Sequence, residues 1–423
     1  MKKKSPVFIP SLVAIGISLC WINVSMAQSP FDHMDGNSDG LLTRFEFKGP
    51  RPAFSRLDSN RDGFISLKEA AGTRLTRRKN GPSTIVQTSP EKRGGPPVYV
   101  DTHNHLVGRR VMGRLELGKP ARIALQTMDD TGVALNLIMP MPQTVKQQLN
   151  LTIDDLLPIA QRYPKRFAVL GGGGSLNVMI QQAVLEGRVT AAMEKAFDEK
   201  AAELVAKGVV GFGEMTAEHF SMTKQHPYEA APPDHPLFLR LADLAAEYRL
   251  PIDLHMEAVP EAMTIPSRFP SPPNPEQLQE NIESFERLLA HNRQAKIIWV
   301  HLGWDNTEKR GIDLTRRLLA ENPNLFMSIR IASGMRDRGV TKPTFPLDGS
   351  GRLRAEWLTL FQEFPDRFVI GSDEIIKPTN DHPSAGSIRS TIGLLEQLEP
   401  SLKRRIGYEN SYRLYKINRN KLD

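Results

Sequence analysis

His103 and His105 stand one residue apart in VYVDTHNHL, residues 98–106. Side chains two apart on a β-strand face the same side, so the pair is expected to point together, with Asp101 on that side as well. Imidazoles arranged this way can share a metal ion. Glu214, His255, His301 and Asp373 extend the constellation. They end the apolar runs VVGFGE (209–214), KIIWVH (296–301) and RFVIGSD (367–373), or fall at the close of PIDLHM (251–256). A single buried histidine is an ordinary core residue. Six ionisable groups at matching ends of five strands would be costly to desolvate without a cation to hold them. Histidine and carboxylate donors without thiolate suit zinc, manganese or iron.

A second set of oxygen donors precedes them. Residues 35–46 read DGNSDGLLTRFE and residues 58–69 read DSNRDGFISLKE. Asp35, Asn37 and Asp39 supply alternate side-chain oxygens, Leu41 a backbone carbonyl, and Glu46 a closing bidentate carboxylate. Asp58, Asn60, Asp62, Phe64 and Glu69 repeat the scheme, and Gly40 and Gly63 stand where the loop turns sharply. Calcium takes many oxygens in a large shell, and these loops provide them. They resemble the EF-hand pattern. They are also similar to dockerins, but closure by Glu46 and Glu69 rather than Asp favours the EF-hand. Leu42 and Ile65 occupy the loop position where paired loops join by a short strand contact. Calcium in such a module is expected to serve stability or docking.

The elements that must position the barrel residues follow from periodicity. After Pro97, short apolar runs alternate with amphipathic stretches. Besides VYVDTH and the four runs above, they are ALNLIMP (134–140), RFAVLGG (166–172) and LFMSIRI (325–331). Helical segments such as PARIALQTMDDTG, TAAMEKAFDEKAAELVAKG and HPLFLRLADLAAEYRL lie between them. Eight such repeats predict an α/β fold, a (β/α)8 TIM barrel over 98–423, preceded by a small all-α EF-hand pair over 28–70. An open doubly wound sheet is the alternative, but no Gly-rich phosphate turn follows the first strand. The GGGG at 171–174 lacks the Lys-Ser/Thr of a phosphate loop. In a barrel, catalytic groups project from the C-terminal ends of the strands.

DTHNH (101–105), LPIDLH (250–255), IIWVHLG (297–303), RFVIGSD (367–373) and IGYENSYRLY (406–415), in that order, resemble the amidohydrolase superfamily. The similarity is to its amidohydrolase-related branch, which includes aminocarboxymuconate-semialdehyde decarboxylase-like proteins, and it covers about residues 98–420. The resemblance implies a divalent metal, zinc foremost, bound by His103, His105, His255 and Asp373. It places His301 beside a water whose pKa the metal lowers from ~15.7 toward ~7. Asp373 would take up the proton and pass it on. The chain departs from the branch in two places. GSDE carries Glu374 where an aromatic residue usually stands. Glu214 occupies the place of the bridging carboxylate of two-metal members, which leaves one or two ions open.

The first 27 residues read as a secretory signal: Lys2, Lys3 and Lys4, an apolar run, then Ser25-Met26-Ala27. Removal takes the only cysteine, Cys20, and lowers the net charge from +7 to +4. A periplasmic or secreted protein without disulfides is expected, with no stable membrane span after cleavage. A lipid-modified Cys20, disfavoured by the bulky Leu19, and an uncleaved anchor are the alternatives. Residues 71–97, rich in Pro, Gly, Ser and charge, read as a flexible linker. No basic face interleaved with aromatics points to nucleic acid. The partner is a small-molecule substrate, and a homo-oligomer stays open. Long loops after strands 4, 5 and 7 would shape the pocket, with Arg330 as an anion contact and Trp304 at its wall. These features predict a metal-dependent hydrolase of amide, ester or lactone-like bonds. The rivals are a non-oxidative decarboxylase on the same scaffold and a non-catalytic calcium-binding scaffold protein.

Overall fold

The computed structural model describes residues 99–417, except 112–113, 147–150, 225, 333–343 and 379–384, together with parts of 31–70. The expected signal segment, the linker 71–97 and the calcium-loop residues Asp35, Asn37, Asp39, Asn60, Asp62 and Phe64 lie outside the described residues.

The eight expected strands all form: β1 (Tyr99–Leu106), β2 (Val133–Ile138), β3 (Phe167–Val169), β4 (Phe212–His219), β5 (Ile252–Met256), β6 (Ile297–Leu302), β7 (Leu325–Ile329) and β8 (Phe368–Ile370). They pair in the parallel order β4-β5-β6-β7-β8-β1-β2-β3. Gly171–Gly172, just past β3, pairs with β4, so the sheet returns on itself as a (β/α)8 barrel requires. Helices fill the crossovers, among them α1 (Gly118–Thr131), α2 (Ala191–Ala206) and α3 (Pro236–Tyr248). These coincide with the three segments whose periodicity reads as helical.

Parallel barrel strands are covered on both faces, which is why every residue of β1 is buried. Two apolar layers result. Tyr99, Ile252, Leu254, Ile297, Trp299 and Met327 pack outward with the helices. Val100, Leu135, Leu137, Ile298, Val300 and Val369 pack together with Leu414 and Tyr415 of the last helix. This second cluster fills the lower barrel.

The alternation breaks where the chemistry sits. The register of β1 against β2 shifts between Asp101 and Asn104, that of β6 against β7 between Trp299 and Leu302, and that of β5 against β4 after His255. His301 and Asp373 adopt φ of 63° and 53°, a left-handed conformation that is uncommon for non-glycine residues. The break in β1 corrects one expectation. Asp101 does not share the face of His103 and His105. It lines a small space with Ile123, Thr127 and Met128 of α1, and accepts hydrogen bonds from the backbone N–H of Ser372 (2.9 Å) and from its hydroxyl (2.5 Å). An irregularity between positions 101 and 104 turns the later side chains the other way.

N-terminal to the barrel, Leu41–Leu42 pairs antiparallel with Ile65–Ser66, with Leu42 opposite Ile65. Phe31, Leu42, Phe54 and Ile65 form an apolar cluster of their own. The helix Arg51–Leu57 starts directly after Pro50, with Pro52 in its first turn, a position where proline's missing N–H costs nothing.

Candidate metal centre

Four imidazoles and two carboxylates converge at the C-terminal mouth. On β1, the Nε2 atoms of His103 and His105 lie 3.2 Å apart. Glu214 Oε2 is 3.5 Å from the first and 3.3 Å from the second. Asp373 Oδ1 is 3.3 Å from His105 Nε2 and 3.9 Å from His103 Nε2. The other oxygens of both carboxylates face a second pair of imidazoles. Glu214 Oε1 lies 2.9 Å from His255 Nδ1 and 3.3 Å from His301 Nε2, while Asp373 Oδ2 lies 3.9 Å from His301 Nε2. Two overlapping donor groups result, His103–His105–Glu214 and Glu214–His255–His301, all buried.

These spacings test whether a cation fits. Donors about 2.1 Å from a tetrahedral ion are about 3.4 Å from one another. The donor separations around the first group, 3.2 to 3.9 Å, bracket that value. Neutral hydrogen bonds cannot explain the cluster, because a carboxylate can only accept and each imidazole has one proton to give. Charge agrees as well. Glu214, Asp253, Asp373 and Glu257 all touch these imidazoles, at 2.9 to 3.6 Å for the closest contact of each, and Arg330 is the guanidinium that reaches them. Divalent ions bound here would replace protons on these rings in balancing the carboxylates. The residues therefore fit a divalent metal.

The protonation pattern without metal records the same crowding. Burial opposes a charge on His105, but Asp373 and Glu214 outweigh it and lift the ring to about 9. Burial likewise opposes His255, yet Glu214 and Glu257 raise it to about 9. Burial would push the Glu214 carboxyl up, but His103 and the other rings hold it well below the usual carboxylate range. Asp373 behaves in the same way: Arg330 and His301 overcome its burial and keep it ionised. His301 remains neutral, because burial dominates its two carboxylate neighbours.

Beyond the donors opens a cavity of about 480 Å³. Arg330 and Trp304, expected at the pocket, both line it. The Arg330 guanidinium lies 4.3 Å from the Trp304 ring centroid and 2.9 Å from Asp373 Oδ2, so stacking and an ion pair hold it in place. Met141, Pro142, Met222, Pro227 and Ile375 give the mouth an apolar collar.

Sequence reasoning missed His219 and His226, which line the same cavity. β4 runs past Glu214 to His219, and Glu229–Ala230 pairs back onto it. Ser221 Oγ donates to the carbonyls of Thr223 (2.6 Å) and His226 (2.5 Å), which ties the intervening turn. The ring of His219 packs 4.5 Å from that of His255 and 4.9 Å from that of His226. Strand alternation would set His219, five residues past Glu214, on the opposite face; the register shift of β4 against β5 past Thr216 brings it to the cavity, so no local pattern signalled it. Glu374 neither joins the cluster nor turns to solvent. Its Oε1 accepts from the backbone N–H groups of Ser387 (2.8 Å) and Ile388 (3.2 Å), capping the helix Gly386–Leu395.

Residues 178–417 match the family model for amidohydrolases. The chain belongs to the amidohydrolase family. Among solved structures, this amidohydrolase is similar to a probable 2-pyrone-4,6-dicarboxylic acid hydrolase from Acinetobacter baumannii with citric acid bound. Identity is 15%, 76% of this chain and 100% of that chain are covered, and the TM-score is 0.45. It is also similar to a 2,6-dihydroxybenzoate decarboxylase complexed with 2,6-dihydroxybenzoate (14% identity, 76% and 98% covered, TM-score 0.42). A 5-carboxyvanillate decarboxylase from Novosphingobium aromaticivorans, complexed with manganese and a nitrobenzoic acid, is a third (14% identity, 76% and 96% covered, TM-score 0.40). No curated protein matches the sequence. No helix among the described residues is long and apolar enough to cross a membrane.

Proposed function

We propose that this amidohydrolase is an exported, metal-dependent hydrolase of a small molecule with an amide, ester or lactone-like bond. The observation that carries the reading is the division of Glu214: one oxygen faces His103 and His105, the other His255 and His301. That division supports two ions with Glu214 between them, His103, His105 and Asp373 holding one and His255 and His301 the other. Zinc suits the nitrogen and oxygen donors, and bound there it would supply Lewis acidity to a substrate carbonyl and to water.

The chain's own residues then have separate tasks. Ionised Asp373 can accept a proton as the bond is cleaved. Arg330, held on Trp304, offers positive charge to an anionic part of the substrate, and the apolar collar can pack against its apolar part. The N-terminal module is read as a calcium-binding EF-hand pair. The pairing of Leu42 with Ile65 supports this, since it joins equivalent positions of the two loops. The basic head and apolar run before residue 28 support export.

Elemental analysis of the purified protein, with a product-resolved screen of amides, esters, lactones and carboxylic acids, tests the reading. Two equivalents of a transition metal and hydrolytic products are expected. Release of CO2 from an acid would replace hydrolysis by decarboxylation. A protein that binds no transition metal would overturn the proposal.

A further inference from the structure

The carboxylate of Asp253 lies beneath the metal centre, and no motif singled it out. Asp253 is on β5, two residues before His255, and is fully buried. Its Oδ1 is 3.0 Å from Nδ1 of His103, which is also fully buried. The contact lies off the ideal hydrogen-bond line, and among the described residues no other partner meets either Asp253 oxygen or His103 Nδ1. A buried carboxylate needs a donor. Among the described residues, the His103 ring nitrogen is the group placed 3.0 Å from it.

We propose that Asp253 is a positioning residue for the metal centre, fixing His103 as the Nδ1-protonated tautomer so that its Nε2 lone pair faces the ion. A carboxylate behind a metal-ligating imidazole orients the ring and makes it a stronger donor. The geometry distinguishes the two histidines of the pair. His105 Nδ1 faces a neutral carbonyl, that of Met139, at 3.0 Å. His103 faces a carboxyl oxygen, that of Asp253, at 3.0 Å, and a carboxylate behind the ring makes it a stronger donor than a carbonyl does. One strand thus supplies His255 to the mouth and a support for the ligand of β1 below it. Gly213 makes room for this support: a Cβ at that position would lie 2.7 Å from the Cβ of Asp253.

This inference rests on the metal reading, and two measurements on the full chain separate them. The first is cobalt binding to metal-stripped wild type and Asp253→Asn, followed by the visible ligand-field spectrum and by competition with a chelator. Cobalt affinity is expected to fall about 10- to 100-fold in Asp253→Asn, with a shifted spectrum and unchanged far-ultraviolet circular dichroism. Equal affinity and an identical spectrum would overturn the proposal. Wild type that binds no cobalt would overturn the metal reading itself. The second measurement needs no Asp253 variant. Histidine-selective 15N spectra of the zinc-loaded protein, with His103 assigned by its loss in His103→Gln, should show Nδ1 protonated. An Nε2-protonated His103 would overturn the proposal even if Asp253→Asn failed to fold.

Discussion

Replacing Glu214 by Gln keeps the shape of the side chain and removes its charge. The structure fixes what this should do to metal binding. Glu214 contributes one oxygen to each donor group, 3.3 and 3.5 Å from the β1 imidazoles and 2.9 and 3.3 Å from His255 and His301. Without its charge, the first group keeps His103, His105 and the Asp373 oxygen 3.3 Å from His105. The second keeps two imidazoles and an Asp373 oxygen 3.9 Å from His301. Three donors still make a site, since catalytic zinc is commonly held by three protein ligands. Two imidazoles and a distant, shared carboxylate do not. Glu214→Gln is therefore expected to fall from two bound equivalents to one, with the remaining ion weakened by at least about 100-fold, more than loss of an outer partner costs. Plasma mass spectrometry after dialysis against a graded chelator reads both quantities. Two equivalents retained at wild-type affinity would refute the division of labour assigned to Glu214. A single equivalent in wild type, unchanged in the variant, would refute it too.

Three further outcomes follow from residues outside the metal cluster. Burial raises the Glu374 carboxyl to about 7, against the two backbone N–H groups that favour its charge. Its folded-state pKa lies above the unfolded one, so its contribution is full below about 4.5 and is lost as pH rises through about 7. Glu374→Gln keeps an acceptor for the helix cap and should be about 3 kcal/mol more stable than wild type at pH 8 but nearly equal at pH 4.5, read by urea unfolding. Asn410 Nδ2 donates to the carbonyls of Pro365 (2.9 Å) and Phe368 (2.8 Å), tying the last helix to β8. Asn410→Ala should cost about 2–4 kcal/mol by leaving both carbonyls unpaired, and Asn410→Asp should cost more at pH 8 than at pH 5, where a protonated carboxyl can donate. A change below about 0.5 kcal/mol in either would show that the tie is unimportant. Finally, Glu46→Gln with Glu69→Gln should weaken calcium binding in calorimetry while leaving transition-metal content intact. Simultaneous loss of both metals would show that the loops and the barrel are not independent.

Much of the site was legible because barrel architecture ties chemistry to strand ends. His103, His105, His255, His301 and Asp373 could be nominated from their runs alone, since each run had to be a strand and each C-terminal end had to reach the same mouth. The strand count and the helical segments followed from apolar periodicity. Where local pattern failed, the cause lay in closure of the sheet. Asp101 shares the spacing of the histidines yet faces α1, because β1 shifts register between them. Glu374 follows a ligand yet caps the next helix, through the backbone N–H groups of Ser387 and Ile388.

The sequence by itself determined the donor types, their order along the chain, the pattern of eight strands that carries them, and the composition of the two loops read as calcium sites. Only the tertiary structure decided how the donors divide into two groups around Glu214, that Asp253 stands behind His103, and that His219 and His226 join the pocket wall. These depend on separations of a few ångströms between strands far apart in the chain. Such distances are set by register shifts and by left-handed residues such as His301 and Asp373, which the closed sheet imposes and no local run of residues encodes.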